Sequence, residues 1–129
     1  MKIATIGIDL AKAVLQVHGV DKHGNVGLKK QLKRKDIVSF FANFEHCLIG
    51  MEACGSAHYW ARKLSQLGHT VRLMAPQFVK PYMKTNKSDR NDAEAICEAV
   101  GRPNMRCVAV KTIEMQAVLA LHRARQGFV

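Results

Sequence analysis

Two carboxylates stand on the apolar stripe of one helix, and that placement constrains this chain more than any other feature. The stretch Lys87-Ser88-Asp89-Arg90-Asn91-Asp92-Ala93-Glu94-Ala95-Ile96 reads as the first turns of a helix. Ser88 is a good N-cap, because its hydroxyl can accept from an orphan backbone N–H of the first turn. Ala93, Ile96, Cys97 and Val100 follow at helical spacing, the face that should meet a core. Asp89 and Asp92 lie on that same stripe, while Arg90, Glu94 and Glu98 take the opposite, solvent-facing side. Side chains three apart on a helix sit roughly 5–6 Å apart at Cβ. Two buried like charges at that separation repel, and burial alone would neutralise one of them. A divalent cation removes both difficulties. First-turn acids also complement a helix dipole, so the pair gains chemical meaning only if other acids join it.

The rest of the chain offers two. Ile3 to Asp9 is a short isoleucine-rich strand in which Gly7 permits close backbone approach, and Asp9 ends it. Lys12 to Val20 is a second strand, followed by a turn at Asp21-Lys22-His23-Gly24-Asn25. Val26 to Leu32 is a third strand whose lysines suit a sheet edge. Ile37, Phe40, Phe41 and Phe44 mark a short amphipathic helix. Cys47 to Met51 is a fourth strand, ended by Glu52. A helix opening at Gly55-Ser56 turns Trp60, Ala61 and Leu64 inward and stops at Gly68 as its C′ residue. Thr70 to Met74 is a fifth strand, and Pro76 to Asn86 a basic connector holding Phe78, Pro81 and Tyr82. These two aromatic rings among lysines suit either stacking on nucleic acid or packing of the connector. After the Asp89 helix, which ends near Gly101-Arg102-Pro103, Val108 to Val110 is extended and a last helix starts at Thr112.

This order predicts an α/β fold with a mixed five-stranded sheet and flanking helices. The fourth and fifth strands, joined through a helix, should be parallel with a right-handed crossover. If the first and fourth strands are parallel neighbours, Asp9 and Glu52 stand side by side at their carboxyl ends, where such sheets place their sites. The Asp89 helix then closes over that edge, and four carboxylates from three elements converge. Mg²⁺ prefers such hard oxygen ligands and keeps waters to share with phosphate. Paired ions of this kind clamp in-line displacement at phosphorus.

Charge points to the same class of partner. The chain has 129 residues, one domain's worth, with a net charge of +10. The basic residues concentrate at Lys29, Lys30, Lys33, Arg34 and Lys35, and at Lys80, Lys84, Lys87 and Arg90, two candidate nucleic-acid contacts. Cys47, Cys54, Cys97 and Cys107 have no CxxC spacing and read as reduced core thiols of a cytosolic protein. The six histidines form no helical metal pair. No apolar run is long enough to span a membrane, and Met1-Lys2 leads straight into a strand, without a signal peptide.

Gly7-Ile8-Asp9, Gly50-Met51-Glu52-Ala53-Cys54-Gly55 and the stretch from Lys87 to Ala93 resemble the DEDD transposases of bacterial insertion sequences, the insertion sequence 110 family. Lys80-Pro81-Tyr82, Arg102-Pro103-Asn104 and Val110-Lys111-Thr112 are similar to that family too, so the likeness covers nearly the whole chain. It implies a RuvC-like, ribonuclease-H-type domain over residues 1–110 and the start of a helical segment over 111–129. Its four acids map to Asp9, Glu52, Asp89 and Asp92. It implies Mg²⁺-dependent DNA recombination, with Mn²⁺ as substitute, guided by a structured RNA and working in the bacterial cytoplasm or at the nucleoid. The family continues into a second domain with a catalytic serine, whereas Ser39, Ser56, Ser65 and Ser88 here lack that context. The chain is therefore expected to be an N-terminal half, unable to recombine DNA alone. The apolar line Met115 and Leu119 of the last helix predicts a homo-oligomer. The rival readings are a non-catalytic nucleic-acid-binding or oligomerising fragment, a Holliday-junction-type nuclease, and half of an actin-like ATPase.

Overall fold

The computed structural model describes residues 2–10, 13–83 and 89–126, with the side chains of 89–91 and 124–126 outside the described set. Three strands open the chain: β1 (Thr5–Asp9), β2 (Val14–Val20) and β3 (Val26–Lys33). The short helix α1 (Ile37–Ala42) precedes β4 (Leu48–Glu52), and α2 (Gly55–Gln66) crosses to β5 (Thr70–Met74). The small helix α3 (Pro76–Val79) and a 3₁₀ turn (Lys80–Tyr82) occupy the basic connector. Then come α4 (Asp89–Val100), β6 (Cys107–Val108) and α5 (Ile113–Gln126). The expected beginning of the second strand at Lys12 and the expected Ser88 cap lie outside the described residues.

The sheet has six strands in the order β3-β2-β1-β4-β5-β6, not five. The extra member is the short β6, which pairs antiparallel with β5 at Leu73↔Val108 and Met74↔Cys107. Two residues are too few for a hydrophobic alternation to register, which is why the sequence shows only an extended piece there. β1 pairs antiparallel with β2 and parallel with β4, and β4 pairs parallel with β5. β3 is one edge strand, as its lysines suggest, and β6 is the other.

Strand alternation sorts the residues between two layers. Ile6, Ile8, Leu15, Val17, Ile49 and Met51 face α1 and α2, where they join Ile37, Phe41, Trp60, Ala61 and Leu64 in the main core. Thr5, Gly7 and Asp9 face the other way, as do Gly50 and Glu52. On that side lies α4, packed against β1, β2 and β4. Its buried residues are Ala93, Ala95, Ile96, Cys97, Ala99 and Val100.

Two glycines allow α4 to lie this close. Gly7 and Gly50 are register partners on β1 and β4. A Cβ on Gly7 would stand 2.3 Å from the Cys97 nitrogen and 2.4 Å from the Ala93 carbonyl oxygen. A Cβ on Gly50 would stand 2.5 Å from the Val100 Cβ. The helix backbone thus rests on the sheet backbone, an approach only glycine permits. At the far end of α2, Gly68 has φ +97°, as expected of a helix C′ residue.

Some expectations need correction. Only Cys47 and Cys97 are buried, whereas Cys54 and Cys107 are exposed because they lie in the loop before α2 and on the short edge strand. Glu94 is half-buried, not solvent-facing. The helix lies across β2 as well as β1, and this brings Glu94 against His18.

Candidate nucleic-acid and metal site

Asp9 and Glu52 each end a strand, and the strands are parallel neighbours with Ile8 opposite Met51. The two acids are the next residues in each strand. They therefore meet at one sheet edge, on the side that α4 covers. Together with Pro76 and Ile96 they line a cleft of about 230 Å³. Asp9 is only 9% exposed, low for a carboxylate. The first turn of α4 begins at Asp89, and Asp92 in it is half-buried.

The electrostatics link three of the acids. Burial pushes the Glu52 carboxyl above the usual carboxylate range. The charges of Asp9 and then Asp92 push it further, and the Lys80 ammonium pulls it back down. A field of three carboxylates with one nearby ammonium favours a cation. The three carboxylates are hard oxygen donors, the kind suited to Mg²⁺ or Mn²⁺, and the exposed Cys54 thiol also lines the cleft. Among the described residues no group of three His, Cys, Asp or Glu side chains stands ready to hold an ion. An ion held by these acids would have to keep several waters, as Mg²⁺ can. The Asp89 carboxylate belongs to the side chains outside the described set.

Of the basic residues, Lys80 stands beside this cleft, at the C-terminal end of α3. Lys84 and Lys87 lie outside the described residues, as does the side chain of Arg90. Lys29, Lys30 and Lys33 are exposed on β3, two strands away from β1. Arg34 and Lys35 follow in an exposed 3₁₀ turn. Lys30 also lies 4.9 Å from the centre of the Phe40 ring, so part of this patch covers an aromatic side chain.

Sequence reasoning missed Gln16 and His18. Both are buried polar residues of β2, opposite Asp9 and Gly7 in the hairpin register, and so share the α4 side. The visible signal was the alternation of Leu15 and Val17 with Gln16 and His18, which gives the strand a polar face. Burial lowers the pKa of His18, Glu94 opposes that shift, and Lys29 adds to it.

Comparison with known proteins places the chain. A family model described as a transposase, of the DEDD type of insertion sequence 110, matches residues 6–129. The chain is 60% identical over its full length to a probable family 20 transposase of Pseudomonas aeruginosa, covering 38% of that protein. It is 48% identical over 127 residues to the transposase of element IS1328 of Yersinia enterocolitica, again covering 38% of it. It is 45% identical to the IS1111A transposase of Coxiella burnetii, covering 35% of that protein. The chain thus spans little more than a third of the length of these relatives. Among solved structures, T. thermophilus RuvC in complex with a Holliday junction substrate superposes with a TM-score of 0.50 at 14% identity. The alignment covers 77% of this chain and 92% of that one, a likeness of fold. With its RuvC-like, ribonuclease-H-type sheet, the chain belongs to the DEDD transposase family of insertion sequence 110.

Proposed function

We propose that this chain is the metal-binding and DNA-binding half of a DNA transposase, with Asp9, Glu52, Asp89 and Asp92 holding Mg²⁺ or Mn²⁺. The observation that carries the reading is the meeting of Asp9 and Glu52 at one sheet edge within the field of Asp92. A divalent ion held there supplies charge neutralisation for phosphate and activation of an attacking oxygen. The protein's own part is to hold the acids rigidly and to bring the DNA backbone to them. The Lys80 ammonium is near enough to act on Glu52, so the connector patch is the better candidate to lead DNA to the acids than the edge patch on β3. The family resemblance extends the proposal to a structured guide RNA and to work on DNA in the bacterial cytoplasm. Complete strand exchange belongs, in this reading, to the longer protein. Residues 1–110 form the acid-bearing unit, and 111–129 begin a helical segment.

The test is a titration with Mn²⁺ followed by calorimetry, on the wild type and on Asp9→Asn with Glu52→Gln. Binding in the wild type that disappears in the double variant supports the reading. Equal binding in both refutes it. An oligomerising role has its own support, since Ile113, Val118 and Leu121 of α5 are 72%, 67% and 55% exposed. The two roles are compatible, because α5 follows β6 and lies over the start of α2, where Gln116 donates to the Gly55 carbonyl at 3.1 Å.

A further inference from the structure

Next to the acid cleft lies a second hollow. Its walls come from the segment after β5 and from the loop before β6. Both segments leave the sheet at the carboxyl end of β5, where Met74 pairs with Glu52 on one side and Cys107 on the other. Pro76 lines the acid cleft, while Gln77 and Phe78, next in the same helix, line the hollow. The hollow and the acid cleft therefore share α3 as a wall. Its volume is about 560 Å³, within the range of small-ligand sites, about 300–1,000 Å³.

The lining has a particular chemistry. Phe78 and Tyr82 supply aromatic surface. Arg102 and Arg106, both exposed, supply positive charge, and Gln77 and Asn104 supply amides. The Arg102 guanidinium lies 5.8 Å from the centre of the Tyr82 ring and is held by Glu98 at 3.1 Å. Aromatic faces beside guanidinium groups are what an unpaired base and its phosphate require. Amides match the hydrogen-bonding edges that a base exposes once it is unpaired. A duplex presents neither a free base face nor a free pairing edge, and a purely electrostatic surface would not need the rings.

Resting on the DNA-binding role proposed above, we infer that this hollow holds unpaired DNA, seating a nucleotide of the strand that passes the acid cleft. Phe78 and Tyr82 stack on its base, Gln77 and Asn104 meet the base edge, and Arg102 and Arg106 neutralise the flanking phosphates. This assigns the hollow a preference for single-stranded over double-stranded DNA, separate from the backbone attraction of the chain's excess charge.

Fluorescence anisotropy in EDTA tests it, with labelled oligothymidylate of twelve nucleotides and a labelled duplex of twenty base pairs. Phe78→Leu removes a ring, and Arg106→Gln removes an exposed charge without touching the core. Phe78→Leu should weaken oligothymidylate binding about tenfold, the order expected for one lost stacked base, and leave duplex binding within twofold. Phe78→Tyr should restore it. Arg106→Gln should weaken oligothymidylate more than duplex. Unchanged oligothymidylate affinity in both variants overturns the inference, and so does an equal loss on both DNAs. Dependence on Phe78 for oligouridylate but not for oligothymidylate overturns it in favour of RNA. Displacement of oligothymidylate by polyglutamate at equal charge concentration overturns it in favour of a plain anion site. Wild-type protein that binds duplex but not oligothymidylate overturns the inference alone. Protein that binds neither removes the DNA-binding proposal beneath it as well.

Discussion

Gly7→Ala should both destabilise the fold and weaken metal binding, although residue 7 carries no functional group. The added Cβ would fall 2.3 Å from the Cys97 nitrogen and 2.4 Å from the Ala93 carbonyl oxygen, both main-chain atoms of α4. No rotamer can relieve a clash with helix backbone, so α4 must lift by about 1 Å, the shortfall from ordinary contact. Ile96 and Val100, only 1% exposed, lie on the face that lifts. Each such side chain gains about 1.5–3 kcal/mol from burial. A gap of 0.5–1 Å forfeits about a quarter to a half of the contact energy across it. The lift therefore costs about 2 kcal/mol, inside the ~1–3 kcal/mol usual for overpacking. Loss of glycine freedom in the unfolded chain returns about 0.4–1 kcal/mol. A net loss of about 1–2 kcal/mol remains.

Urea unfolding measures this directly, with the midpoint lowered and the slope unchanged. Gly55→Ala is the control, since nothing lies within 4 Å of a Cβ there. It should change stability by no more than about 0.5 kcal/mol. The metal readout follows from the same movement. Lifting α4 carries Asp89 and Asp92 away from Asp9 and Glu52, so the rise in melting temperature on adding Mg²⁺ should shrink in Gly7→Ala. A Gly7→Ala midpoint equal to wild type would refute the packing argument. A lowered midpoint with an undiminished Mg²⁺ response would refute the link between α4 and the metal.

Four further outcomes are expected. Glu52 has its pKa raised in the fold, so its stabilising contribution is present in acid and is lost as pH rises through that raised value. Glu52→Gln should therefore raise the melting temperature in EDTA at neutral pH, with the gap over wild type closing as pH falls; a gap independent of pH would count against the crowded carboxylates. Mg²⁺ at a hundred times its dissociation constant should stabilise wild type by about 2.7 kcal/mol, and Asp9→Asn with Glu52→Gln should abolish that gain in thermal melts. His58 has its pKa lowered by burial and by Lys111 and Arg62, and its Nδ1 accepts from the Lys111 N–H at 3.0 Å. Its contribution is full above the unfolded value of 6.5 and is lost as pH falls through the lower folded value. His58→Asn should flatten that part of the stability profile, and an unchanged profile would exclude His58 as its source. Val118→Glu with Leu121→Glu should convert a self-associating chain to a monomer in sedimentation experiments, whereas a monomeric wild type would end that reading.

The sequence made the sheet edge legible because acids at strand ends are rare in a basic chain. Asp9 and Glu52 each follow an apolar run, and parallel pairing of those runs puts them together. The close approach at Gly7 was also readable, since a glycine inside a strand weakens it unless something must come near. What was not readable depends on tertiary placement. β6 exists because Cys107 and Val108 complete the ladder of β5, and two residues carry no periodicity of their own. Glu94 sits on the polar side of its helix by spacing, yet α4 spans three strands and so covers that side too. The exposure of Cys54 and Cys107 likewise follows from position at loop and edge, not from residue type. In the sequence Arg102 reads only as part of a helix stop and a family-like motif, and nothing singles out Arg106; both line the hollow beside α3 because the loop before β6 folds back there.

Register joins the packing requirement to the chemical one. Gly7 and Gly50 precede Asp9 and Glu52 by two residues each, and residues two apart in a strand share a face. The face that must be bare for α4 to rest on is therefore the face that carries the acids. Slipping either strand by one residue would bring Ile8 or Met51 under α4 and turn Asp9 or Glu52 toward α1 and α2. That slip would bury a carboxylate among Phe41, Trp60 and Leu64, which costs far more than the slip could return. The hydrophobic core on the opposite face thus enforces the position of the acids. In turn, the repulsion felt at Glu52 from Asp9 and Asp92 is held in place by the seating of α4 on two glycines. A cation that relieves this repulsion strengthens the same helix contact. If the acids hold an ion as proposed, metal affinity and the docking of α4 form one coupled equilibrium, and a substitution that loosens the helix should also weaken the ion.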